Sequence, residues 1–93
     1  MIAAERVAAI RAALQAQLAP SHIAVGDDSA AHAGHAGARG GAGHFHVQVV
    51  SAQFRGRSRL ERHRLIYQAV QNLMGSEIHA LAIEALAPEE FTS

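Results

Sequence analysis

Seven histidines are the side chains best suited to chemistry in this 93-residue chain, and they are unevenly placed. Four of them, His32, His35, His44 and His46, lie within or just after residues 27–43. The spacing His32-x-x-His35 allows two imidazoles on one ion, and imidazole suits zinc, copper, nickel or iron. No carboxylate or thiol completes a regular site there, so the pair also reads as part of a polar loop. His79 opens an apolar run near the C-terminus. His63 lies on the apolar stripe of a helix between Arg62 and Arg64, where it reads as a packed, hydrogen-bonded core histidine. Phe54 and Tyr67 read as core residues.

The second chemical feature is cationic. Arg55, Arg57, Arg59, Arg62 and Arg64 share one short stretch with a single acid, Glu61. All eight basic residues of the chain are Arg. That suits bidentate contacts to phosphate or carboxylate, although a compositional bias in an Ala-rich chain produces the same count. Net charge is zero, which argues against bulk nucleic-acid binding, an effect mainly of Lys and Arg on phosphates. Zero Cys excludes a disulfide framework, a thiolate zinc site and a cysteine nucleophile. There is no Ser/His/Asp order, nucleophile elbow or pair of acids flanking a cleft, so a hydrolytic enzyme has little support.

Several elements must position these groups. Residues 2–19 read as an amphipathic helix, with Val7, Ile10, Leu14 and Leu18 on one face and Pro20 as the stop. Residues 22–26 are a weak strand. Residues 44–51 are a better one, with Phe45, Val47 and Val49 on one side. A second helix starts at Ser58, where Ser58-Arg59-Leu60-Glu61 has capping-box spacing. Its stripe reads Leu60, His63, Tyr67, Val70 and Met74, and Gly75 ends it. Residues 77–86 form a third strand. Leu81 and Ile83 face one side, in parity with His79, while Ile78, Ala80 and Ala82 face the other. Pro88 ends this strand, and Glu89-Glu90-Phe91 makes a terminal turn.

The order α-β-β-α-β predicts an α+β layer, a three-stranded mixed sheet with the helices packed on one face. The connection through the second helix is long enough for a parallel crossover. Residues 44 and 79 then begin at the same end of the sheet, where residues 27–43 also arrive. Imidazoles from separate segments would converge there. Residues 27–43 carry five of the eight glycines and no large apolar side chain, which predicts a mobile Gly/His-rich loop. Of the hydrophobic residues, 21 are Ala, leaving 25 larger ones, enough for one core and a single domain over 1–93. No apolar run approaches the roughly 18 residues of a membrane span. Glu5, Arg6 and Arg11 interrupt the N-terminal apolar residues, so a secretory signal is not expected and a cytoplasmic location is.

Three motifs resemble the signature of the BolA proteins: Phe54-Arg55-Gly56-Arg57-Ser58, Arg62-His63-Arg64-Leu65-Ile66-Tyr67 and Ile78-His79-Ala80-Leu81-Ala82-Ile83. Asp28-Ser29, His32-Ala33-Gly34-His35 and Gly43-His44-Phe45 continue the resemblance, which covers about residues 7–90. It implies a class II K-homology-like fold. It also implies a non-enzymatic partner of a monothiol glutaredoxin that shares a bridging [2Fe-2S] cluster, with the glutaredoxin giving a Cys and a glutathione thiol. The family's ligands fall on His79 and on His35, with His32 as the competing loop assignment. The family is also described as transcriptional regulators, which would place Arg62, His63 and Arg64 near DNA. Arg57 and Arg59 belong to the same candidate nucleic-acid or partner surface. Arg64 is a candidate to hold a partner's acid or this chain's Glu89 or Glu90. Weak DNA binding and a homodimer are further partner possibilities.

The donor chemistry agrees with the cluster role. Two imidazoles replacing two thiolates on one iron is the Rieske arrangement, which raises the reduction potential. A chain without Cys can supply that half of a cluster and must borrow the rest. One departure bears on nucleic acid: Gly37-Ala38-Arg39-Gly40 matches the Gly-x-x-Gly of K-homology domains but lies between strands rather than helices.

Overall fold

The computed structural model describes residues 2–32 and 41–91. Helix α1 spans Ala3–Leu18, and its first turn is held by the Ile2 N–H donating to the Glu5 carboxylate at 2.9 Å. Ile10, Leu14 and Leu18 are buried, as their spacing predicts. Ala19 closes the helix in the left-handed region, with φ of 44°.

Strand β1, His22–Asp27, pairs antiparallel with β2, Gly43–Val50. Strand β3, Ile78–Leu86, pairs parallel with β2, so the sheet is mixed and runs β1-β2-β3. Helix α2, Arg59–Ala69, makes the crossover. Its capping box forms as expected: Ser58 Oγ accepts from Glu61 N–H at 3.1 Å, and Ser58 N–H donates to Glu61 Oε1 at 2.8 Å. Short 3-10 turns occupy Ser29–His32, Ala52–Phe54 and Pro88–Glu90. Both helices bury their apolar sides in one cluster with Phe45, Val47 and Val49. One face of the sheet is thereby covered, and Phe54 lies inside the same core.

Two expectations require correction. Helix α2 ends at Ala69, six residues before Gly75; its buried residue is Ile66, flanked by Leu65 and Ala69, while Val70 and Met74 of the expected stripe pack on the core from the turns that follow. Leu60 and Tyr67 are 60% and 40% exposed. The sheet takes the aliphatic side chains and leaves Leu60 and Tyr67 at the surface.

The second correction concerns the head of β3. Gly43 pairs with Ile78, but the next residue, His44, pairs with Ala80. The register slips by one at His79, a bulge. Ile78 therefore faces the core, fully buried, on the same side as Leu81 and Ile83, and not with Ala80 and Ala82. His79 leaves the parity of Leu81 and is exposed. Of residues 27–43, expected as one mobile loop, Asp27 ends β1, Ser29–His32 form a 3-10 turn and Gly43 begins β2, while residues 33–40 lie outside the described residues.

Candidate functional site

The parallel register brings two imidazoles together at one end of the sheet. The rings of His44 and His79 have centroids 5.1 Å apart, tilted by 52°. His44 is held through its backbone: its N–H donates to Ser29 Oγ at 3.1 Å, and its carbonyl accepts from Asp28 N–H at 2.7 Å. Ser29 is fixed in turn by its N–H on Asp27 Oδ1 at 2.8 Å. The Ser29 hydroxyl and amide hold the Asp27 carboxyl below its usual range. Gly43 allows this close packing, since a Cβ there would meet Ser29 Oγ at 2.6 Å and the Phe45 ring at 2.8 Å.

Arg6 braces the same end of the sheet. Its guanidinium pairs with Glu77 at 2.8 Å and also bonds the Gly41 carbonyl, while the Glu77 carbonyl accepts from Gly43 N–H. Helix α1 is thus tied to the entry of both β2 and β3.

His46 lies on the open face of the sheet and turns elsewhere. Its Nδ1 meets Asp28 Oδ2 at 2.9 Å, and its ring covers Gly26, where a Cβ would overlap it. Among the described residues no group of three or more His, Cys, Asp or Glu converges as a metal site. The His44–His79 pair offers two nitrogens and would need donors from elsewhere. His35 lies outside the described residues, and His32 ends the 3-10 turn that leads away from β1. His44 was not singled out as a ligand from the sequence. The available signal was that residues 44 and 79 head two parallel strands at one rim.

The arginines divide into braces and free cations. Arg62, with its side chain 13% exposed, bonds the Arg57 carbonyl at 3.0 Å, the Ala85 carbonyl at 3.1 Å and both oxygens of Glu90. That bond, with help from Ala87 N–H, keeps the Glu90 carboxyl below its ordinary range. Arg55 pairs with Glu89. These two residues, and not Arg64, hold the C-terminal acids. Arg57, Arg59 and Arg64 are exposed. His63 is half-buried and makes no hydrogen bond among the described residues, so its reading as a hydrogen-bonded core histidine is corrected. Burial, and then the charge of Arg59, push its pKa down. His63 and Arg59 line a cleft of about 410 Å³ between α2 and β3.

Comparison with known proteins places this arrangement. The family model of the BolA-like proteins matches residues 14–90. SufE-like protein 1, chloroplastic/mitochondrial, of Arabidopsis thaliana is 45% identical over 86 residues, covering 87% of this chain and 23% of that protein. The solved BolA domain of SufE1 from the same plant matches with a TM-score of 0.81 at 41% identity, over 92% of this chain and 95% of that one. BolA-like protein 1 of Mus musculus is 42% identical over 84 residues, covering 90% of this chain and 59% of that protein. The DNA-binding transcriptional regulator BolA of Haemophilus influenzae is 33% identical over 78 residues, 84% of this chain and 73% of that protein. This chain therefore spans less than two thirds of the first two relatives. The sheet order, the rim histidines and the matches through most of the length lead to one conclusion: the chain belongs to the BolA-like family.

Proposed function

We propose that this chain is a non-enzymatic, cytoplasmic adaptor that partners a monothiol glutaredoxin and supplies imidazole ligands to a shared [2Fe-2S] cluster. The carrying observation is the exposed His79, turned out of strand parity by a bulge, with a second imidazole beside it in a chain without Cys. His79 contributes one nitrogen. The second comes from His35, with His32 and His44 as the competing donors. The partner's Cys and glutathione complete the set. Imidazole ligation of one iron raises its potential and makes binding weaken as pH falls, because the ligand nitrogen must be free of its proton. Such a site suits passing a cluster on or sensing its presence.

The test mixes the chain with a holo monothiol glutaredoxin and follows the visible spectrum. A shift toward mixed His/Cys ligation is expected, and His79→Ala should remove it while the fold persists. His32→Ala, His35→Ala and His44→Ala identify the second donor. A spectrum unchanged by His79→Ala would overturn the reading.

A second reading is a DNA-binding regulator. The exposed Arg57, Arg59 and Arg64 favour it, as does the name of the Haemophilus relative.

A further inference from the structure

Strand β3 is an edge strand, and its outer side carries unpaired backbone. Leu86 faces β2, since its carbonyl accepts from Ser51 N–H at 3.0 Å. Alternation then turns Leu81, Ile83 and Ala85 outward, and Arg62 confirms this by bonding the Ala85 carbonyl. Among the described residues nothing bonds the outward N–H and C=O of Leu81 or Ile83. The 410 Å³ cleft runs along this edge, with Ile83 and Ala85 on one wall and Arg57, Arg59 and His63 on the other.

We propose that this cleft is a docking groove for an extended, acidic segment of a partner protein, which adds as a strand to the outer edge of β3. An exposed edge is a template for strand addition, with main-chain bonds giving affinity and side-chain pockets giving specificity. Charge complementarity sets the sign of the occupant. Arg62 is already neutralised by Glu90. Arg59 has no acceptor among the described residues, and Arg57 spends only its Nε on the Gln53 carbonyl. Two guanidinium groups are thus free to take carboxylates projecting from an added strand. A nucleic-acid backbone fits less well, because it carries no N–H to donate to the outward carbonyls of Leu81 and Ile83. The groove lies several residues along β3 from His79, roughly 13–20 Å at strand rise. It stands or falls separately from the cluster reading.

The test uses the full chain and a blocked, dye-labelled peptide of alternating glutamate and valine, followed by fluorescence anisotropy. Comparison probes are a lysine–valine peptide, the same acidic peptide N-methylated on alternate amides, and a single-stranded DNA of equal charge. Saturable binding of the acidic peptide is expected, with the lysine and N-methylated forms failing to bind. Arg57→Glu with Arg59→Glu should weaken binding by about tenfold or more. Both side chains are exposed, so the thermal midpoint should hold. Slowed amide exchange at Leu81 and Ile83 on binding is the backbone signature. Absence of saturable acidic-peptide binding overturns the proposal, as does binding that survives the double charge reversal. Tighter, Arg57- and Arg59-dependent binding of the DNA would make the groove a nucleic-acid site. Self-association lost in the double variant would make a second copy its occupant.

Discussion

His79 owes its exposure to one unmatched residue. Without the slip opposite Gly43 and His44, the side chain would share the buried side of Leu81, and an imidazole there would lose its solvent and its access to a ligand. The facing glycine matters equally. Gly43 sits against Ser29 and the Phe45 ring, and that ring is 2% exposed, so it has no space to retreat into. Gly43→Ala should therefore cost about 1–3 kcal/mol through overpacking. It should also displace Ser29 from the His44 N–H and disturb the His44–His79 geometry. A denaturant midpoint equal to that of the parent would show that the neighbours yield freely. Imidazole resonances of His44 and His79 left in place would show that Gly43 does not position the site.

Helix α2 and the C-terminal turn are joined by one side chain. Arg62 reaches the Arg57 carbonyl at the helix start, the Ala85 carbonyl on β3 and the Glu90 carboxylate. Arg64, two residues on, is exposed and faces solvent. Arg62→Ala removes a donor from two carbonyls and leaves Glu90 only the Ala87 N–H, and should cost about 1–3 kcal/mol. Arg64→Ala should stay within about 0.5 kcal/mol. Equal midpoints for the two variants would refute this division of roles. The same contact responds to acid. Glu90 is depressed from its ordinary value of 4.5, so its contribution is fully present above that pH and is lost as pH falls through the lower, folded value. Glu61 at the helix N-terminus behaves alike, held down by the Ser58 amide and hydroxyl. Acid titration of the Glu90 side-chain resonance should show the low midpoint in the parent and a return toward 4.5 in Arg62→Ala.

The whole molecule shows why some of this was legible in the sequence and some was not. The apolar spacing of α1, the alternation in β2 and the crossover length between β2 and β3 are local signals, and each led to the observed element. The slip at His79 is invisible to strand parity, because it depends on what the partner strand offers opposite. Which side chains of α2 are buried is chosen by the sheet, not by the helix's own spacing. The Arg55–Glu89 and Arg62–Glu90 pairs required knowing where the C-terminal turn folds back. That pairing also changes the charge available to a partner. With net charge zero and two of the five clustered arginines committed internally, Arg57, Arg59 and Arg64 remain to meet phosphates. Three contacts at a slope near −0.9 each in log affinity against log salt imply about a fortyfold loss between roughly 50 and 200 mM salt. A duplex DNA should therefore be held weakly at physiological salt, with that slope and little sequence preference. Binding to a monothiol glutaredoxin should lose much less over the same range, because ligand bonds are not screened by salt. A titration of both partners across this salt range decides the matter. Sub-micromolar, sequence-selective DNA binding at about 150 mM salt would make base-specific contacts necessary and would move the regulator reading ahead of the adaptor.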